Sequence, residues 1–96
     1  MTAEIQLINH NLDNNFVCQR KDNGYINATA LCKACDRRIF DYLRLDTTKA
    51  FIDTLSSSTG IPANEIVTTQ ISVRNELRGT WVHPYVAINL AQWASP

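Results

Sequence analysis

Two rhythms of apolar and polar residues divide the chain. Phe16 to Arg20 is β-prone, Lys21-Asp-Asn-Gly24 supplies a turn with an Asn-Gly step, and Tyr25-Ile26 returns, which predicts a hairpin. Ahead of it Glu4 to Ile8 alternates loosely as a short strand. The polar run Asn9 to Asn15, with only Leu12 apolar, reads as the connection. Asn27 then stands where a helix over Ala28 to Cys35 needs a cap, its side-chain oxygen accepting an orphan N–H. Beyond Asp36 the spacing turns helical again, with Ile39, Phe40 and Leu43 as an apolar stripe and Arg37, Arg38, Asp41 and Arg44 on the other positions. Two short helices across a tight turn make a helix-turn-helix candidate. Leu45-Asp-Thr-Thr48 is a second break, with Asp46 or Thr47 capping a helix from Thr48 to about Ser57 whose Phe51, Ile52 and Leu55 face inward. Ser56 to Gly60 ends it and Pro62 prevents its resumption.

The second half repeats the order of strand, turn and helix. Glu65 to Val73 is a β-branched run that predicts a strand, Thr80-Trp-Val82 behind Gly79 predicts its partner, and the polar Arg74 to Arg78 between them is the hairpin tip. His83 precedes Pro84, whose fixed φ and missing N–H suit the first turn of a helix, and His83 is its expected cap. Val86, Leu90 and Trp93, with Ala87, Ala91 and Ala94 beside them, form the buried face of that helix, and Asn89 and Gln92 fall on its other side. Trp81, Trp93, Phe40 and Phe51 occupy apolar positions and are assigned to the core rather than to base stacking.

Composition narrows the function more by exclusion than by assertion. Ninety-six residues with 45% apolar content suit one small domain. The start, Met1-Thr-Ala-Glu, has no basic flank and Ile5 to Ile8 is too short an apolar core for a signal peptide. No apolar run approaches the ~20 residues that span a bilayer. These readings predict a soluble, intracellular chain with no membrane partner. The stop at Ser95-Pro96 reads as a domain cut from a longer protein, with a protein partner expected through the missing C-terminal region. Three cysteines, Cys18, Cys32 and Cys35, read as buried or half-buried free thiols. Cys32-Lys-Ala-Cys35 has the spacing of half a zinc site, but a second pair is missing, so no metal and no other cofactor is assigned. With three glycines there is no phosphate loop, and no nucleophile elbow or carboxylate pair for two-metal chemistry stands out. Catalysis is not expected.

Formal net charge is zero, which works against binding by phosphate neutralisation. The distribution restores part of the case: residues 16 to 49 carry +3, residues 1 to 15 carry −2, and residues 50 to 96 carry −1. A basic half is able to present one positive face, while a solvated mixed-charge surface explains the same numbers without any ligand.

Asp22-Asn-Gly-Tyr-Ile-Asn-Ala-Thr29, Gly79-Thr-Trp-Val-His-Pro84 and Leu90-Ala-Gln-Trp-Ala-Ser-Pro96 occur in the order of the KilA-N domain, which the chain resembles from about Phe16 to its end. That family belongs to large DNA viruses and phages and is related to the APSES DNA-binding domain of fungal transcription factors. The resemblance implies an α+β, small winged-helix-like domain with an N-terminal β-hairpin, helix-turn-helix-like helices and a β-hairpin wing, and it implies DNA binding. If viral, the chain would act in host cytoplasm or nucleus. Family members often carry other modules, including RING-type ubiquitin ligase domains.

For that chemistry the residues offer two groups. Arg37 and Arg38 are expected at a helix start, where backbone N–H groups favour an anion, with Lys33 and Lys49 as point charges and Arg44 either on phosphate or paired with Asp41. The helix of Arg37 or that of Lys49 could approach DNA; the resemblance favours the first. At the hairpin tip Arg74, Asn75 and Arg78 combine two guanidinium forks with an amide, and Gln70 joins them if it faces out. The family's wing is often rich in Gly and Asn, whereas Ile71-Ser-Val-Arg74 is stiffer and Glu76 repels phosphate. Duplex DNA is the favoured partner; phosphate contacts alone leave RNA open. The alternative is a protein-interaction module that kept the fold with weak DNA affinity.

Overall fold

The computed structural model describes residues 6–12, 15–71 and 77–95. Its centre is an antiparallel sheet of five strands in the order β1-β2-β3-β5-β4. β1 (Leu7–Leu12) pairs with β2 (Asn15–Arg20), Leu7 opposite Arg20 and Leu12 opposite Asn15. Of the expected strand over Glu4–Ile8, Glu4 and Ile5 lie outside the described residues and Leu7–Ile8 are strand, while Asn9 to Leu12 of the polar run, expected as a connection, continue that strand. β1 is an edge whose Ile8 to Asn11 are all exposed, so pairing and not burial holds it extended, and no hydrophobic alternation marks it.

The turn after β2 forms as expected. The amide of Arg20 donates to the Tyr25 carbonyl at 2.8 Å, and that of Gly24 donates back to the Arg20 carbonyl at 2.9 Å. Across it the Arg20 guanidinium bonds Asp22 at 2.6 Å and holds that carboxyl below its ordinary pKa. β3 is only Ile26–Asn27, yet it joins two hairpins: Gln19 pairs with Ile26 on one side, and Ile26 and Asn27 pair with Val82 and Trp81 on the other.

Three helices fill the middle of the chain. α1 (Ala28–Ala34) starts at the expected cap, Asn27 accepting from the Ala30 amide at 3.1 Å. α2 (Ile39–Leu43) buries Ile39 and Tyr42, three residues apart, while Phe40 is 78% exposed. The expected core position of Phe40 is thus corrected: in one and a half turns only the i, i+3 pair reaches the core. α3 (Asp46–Thr59) starts two residues early, with Leu45 at the cap and no side-chain cap bond. It closes on Gly60 at φ 75°, whose amide donates to the Ser56 carbonyl. Leu55 and Thr48 are buried, and Phe51 and Ile52 pack half-buried against the core.

The strand expected from Glu65 is replaced at first by one helical turn, α4 (Ala63–Ile66), in which the amides of Glu65 and Ile66 both donate to the Pro62 carbonyl. β4 (Val67–Gln70) follows and pairs with β5 (Gly79–Val82), Gln70 opposite Gly79. α5 (Pro84–Ala94) has Pro84 in its first turn and His83 as its cap, Nδ1 accepting from the Tyr85 amide at 3.0 Å. Val86, Ala87, Leu90 and Ala94 are buried on it; Ala91 is exposed, and Asn89 turns partly inward instead of to solvent.

The core lies between the sheet and helices α1 and α5. Val17, Ile66 and Val82 meet Ala28, Leu31, Val86 and Leu90 there, and Trp81 is 2% exposed on β5. Each large side chain taken fully from water contributes about 1.5–3 kcal/mol, so this junction is what fixes the helices on the sheet. The result is an α+β domain.

Candidate nucleic-acid interface

The cations predicted around α2 are held there by local geometry. α1 runs out at Cys35, and Asp36 takes a left-handed φ of 56°, which turns the chain sharply. The amide of Arg37 then donates to the Cys32 carbonyl at 2.8 Å, so the backbone at Arg37 is tied to the end of α1. Helix α2 begins only at Ile39. Arg38 therefore occupies the cap position without a side-chain cap bond, and Arg37 precedes it. Both arginines thus stand at the start of α2, as expected, and their guanidinium groups supply the positive charge there.

Two guanidinium groups meet one carboxylate on this segment. Asp41 receives Arg38 Nε at 3.7 Å and Arg44 Nη2 at 3.5 Å, each one helical turn away, and the two arginine side chains remain 83% and 76% exposed. At such distances and exposure the pairs are weak, about 0–1 kcal/mol each, and an incoming phosphate is able to displace them. Arg37 is placed differently. Its Cζ lies 5.0 Å from the centre of the Trp93 ring, so its charge is supported by an aromatic ring, and among the described residues no ion pair to an acid is formed by it. Lys33, in the last turn of α1, and Lys49, on α3, are exposed.

The second group sits on the β4–β5 hairpin. Gln70 ends β4 and is exposed, as is Arg78 just before β5. Arg74 and Asn75 lie outside the described residues, as does Glu76. The hairpin base is anchored to the start of α1. Asn27 Nδ2 donates to the Arg78 carbonyl at 3.0 Å, Thr29 Oγ1 accepts from the Thr80 amide at 3.0 Å, and Trp81 Nε1 donates to the Leu77 carbonyl at 3.0 Å. Asn27 thus caps α1 with its oxygen and holds the hairpin with its nitrogen. The cap was legible from sequence; the second bond, across 51 residues, had no local signal.

Behind α2 is a buried polar junction that sequence reasoning missed. Tyr42 is 1% exposed, its hydroxyl donates to Asn89 Oδ1 on α5 at 2.6 Å, and burial pushes its pKa up, partly offset by a hydrogen bond with Thr48 of α3. One phenol therefore links three helices. Cys32 is buried and its thiol is pushed up to about 11, by burial and then by neighbouring Cys35; Cys18 donates to Asn9 Oδ1 at 3.0 Å. Among the described residues no three His, Cys, Asp or Glu side chains gather to hold a metal ion, and no helix is long and apolar enough to cross a membrane.

An antiparallel sheet backed by helices, with cations on one short helical segment and a hairpin anchored beside its first helix, is the build of a small α+β domain. The chain belongs to the KilA-N domain family, which matches residues 9–96, a class generally DNA-binding and non-enzymatic. It is 40% identical over 74 residues to one KilA-N domain-containing protein of Acanthamoeba polyphaga mimivirus, covering 76% of this chain and 20% of that protein. A second from the same virus is 40% identical over 76 residues, covering 78% and 17%, and a third is 33% identical over 82 residues, covering 79% and 23%. The chain spans about a fifth of the length of these relatives. No solved structure matches it.

Proposed function

We propose that the chain binds duplex DNA, with Arg37, Arg38 and Arg44 on phosphates, Lys33 and Lys49 as flanking charges, and Gln70, Arg74, Asn75 and Arg78 of the hairpin supplying sequence preference. The observation that carries this reading is the α2 segment, where Arg37, Arg38 and Arg44 are all exposed, Arg38 and Arg44 share Asp41, and Arg37 lies against Trp93, in a chain of zero net charge. Local excess, not total charge, sets the potential that a phosphate meets. Family membership supports the same reading.

The test is fluorescence anisotropy with labelled duplex DNA, single-stranded DNA and duplex RNA at several salt concentrations. Duplex DNA binding that weakens steeply with salt is expected. Each lost phosphate contact flattens the log–log salt slope by about 0.9, so Arg37→Ala with Arg38→Ala lowers it by roughly 1–2 and weakens all sequences alike. Arg78→Ala instead shifts preference among sequences. Absence of duplex binding at low salt, or tighter binding to RNA, overturns the proposal.

A second reading, a protein-interaction module, is favoured by the zero net charge and by a mostly apolar cleft of about 330 Å³ between the N-terminal hairpin and α5. Ile88, on its rim, is 59% exposed. Failure of all three nucleic acids to bind would move the assignment there.

A further inference from the structure

We infer that Trp93 is a positioning residue for Arg37, so that α5, which carries no cation, forms part of the nucleic-acid interface; this rests on the DNA-binding reading of α2. Arg38 and Arg44 are oriented by Asp41, at the cost of part of their charge. Arg37 is oriented without that loss, because the support under it is a ring. Its Cζ stands 5.0 Å from the Trp93 centroid, inside the ~6 Å reach of a cation–π contact. A ring, unlike a carboxylate, carries no net charge, so the full positive charge of Arg37 stays available to a phosphate.

The support is itself fixed. Trp93 is half-buried and packs against Tyr42, ring centres 5.5 Å apart and tilted by 51°. Tyr42 is held by its bond to Asn89, one turn before Trp93 on α5. At the other end the Arg37 backbone is pinned by its bond to the Cys32 carbonyl. Both ends of a long side chain are thereby restrained before ligand arrives, which removes ordering entropy from the binding step.

The experiment is a thermodynamic cycle on duplex DNA binding with Arg37→Ala, Trp93→Leu, the double variant and Trp93→Phe, together with thermal melts and NMR of the Arg37 side chain. Trp93→Leu is expected to weaken binding about two- to fivefold, the worth of an exposed cation–π contact. Trp93→Phe keeps most of the affinity, and Trp93→Leu adds no loss in the Arg37→Ala background. The Arg37 Cδ protons show an upfield ring-current shift that Trp93→Leu abolishes. Unchanged affinity in Trp93→Leu, or a loss that adds in full to that of Arg37→Ala, overturns the inference. Should Trp93→Leu fail to fold, Trp93→Phe and the wild-type shift decide, and absence of the shift overturns it. A wild-type chain that shows the shift but binds no nucleic acid overturns the functional role and leaves the stack standing.

Discussion

Gly79→Ala is expected to destabilise the domain by about 2–4 kcal/mol, well beyond the usual cost of a surface glycine. Gly79 opens β5 at φ 122°, a conformation that costs a residue with a Cβ about 1–3 kcal/mol. The added Cβ would stand 2.9 Å from Asn27 Oδ1 and 3.1 Å from Thr29 Cβ and Oγ1. None of these atoms is free to retreat. Asn27 Oδ1 caps α1 and its Nδ2 holds the Arg78 carbonyl, while Thr29 Oγ1 accepts from the Thr80 amide. Displacing the cap alone costs about 1 kcal/mol. Gly60→Ala is the internal control, because Gly60 also has positive φ, 75°, yet nothing lies within 4 Å of its added Cβ. That variant loses only the backbone cost of about 1–2 kcal/mol. Urea unfolding followed by circular dichroism measures both; for a domain of this size the Gly79 variant also melts roughly 8–30 °C lower. If Gly79→Ala lost no more than Gly60→Ala, the close approach of β5 to the start of α1 would be wrong.

Two further outcomes test the helices. Ile39→Ala is expected to cost about 2–4 kcal/mol and Phe40→Ala less than about 0.5, read from thermal melts; the opposite ranking would show that α2 is rotated. Cys32 ionises in the unfolded chain near its reference value of 9.0 but only at about 11 when folded. The stability it contributes is complete below pH 9 and disappears as pH rises through 11. Urea midpoints at pH 7, 9 and 10.5 therefore fall at the alkaline end, less so in Cys32→Ala, with raised Tyr42 contributing in the same direction. A stability flat up to pH 11 contradicts the burial of that thiol.

Features governed by local backbone chemistry were legible in the sequence. Asn27 and His83 cap the helices they precede, Pro84 opens α5, and Gly60 closes α3, because each depends on neighbours a few residues away. Features governed by partners distant in the chain were not. β1 shows no alternation because β2 holds it from one side, and the turn of α4 is too short for a periodic signal within a β-branched run. Phe40 and Ile39 look alike in composition; the packing of Tyr42 against α5 decides which of them faces the core. The cationic residues could be picked out one by one, but Trp93 under Arg37 could not, since residues 37 and 93 are related only through the folded contact of α2 with α5.

The two-residue strand β3 has a consequence for how the domain comes apart. Ile26 and Asn27 are the seam between the N-terminal hairpin and the β4–β5 hairpin, and the bond from Asn27 to Arg78 closes a loop of 51 residues. Such closure is entropically expensive, whereas α1 to α3 form from neighbours in sequence. A partial opening along the seam would detach the hairpin from α1 while the helices stay folded. Hydrogen exchange at the Ile26, Trp81 and Val82 amides reports that event, and a chain opened in this way keeps Arg37 between α1 and α2 but loses the fixed position of Arg78.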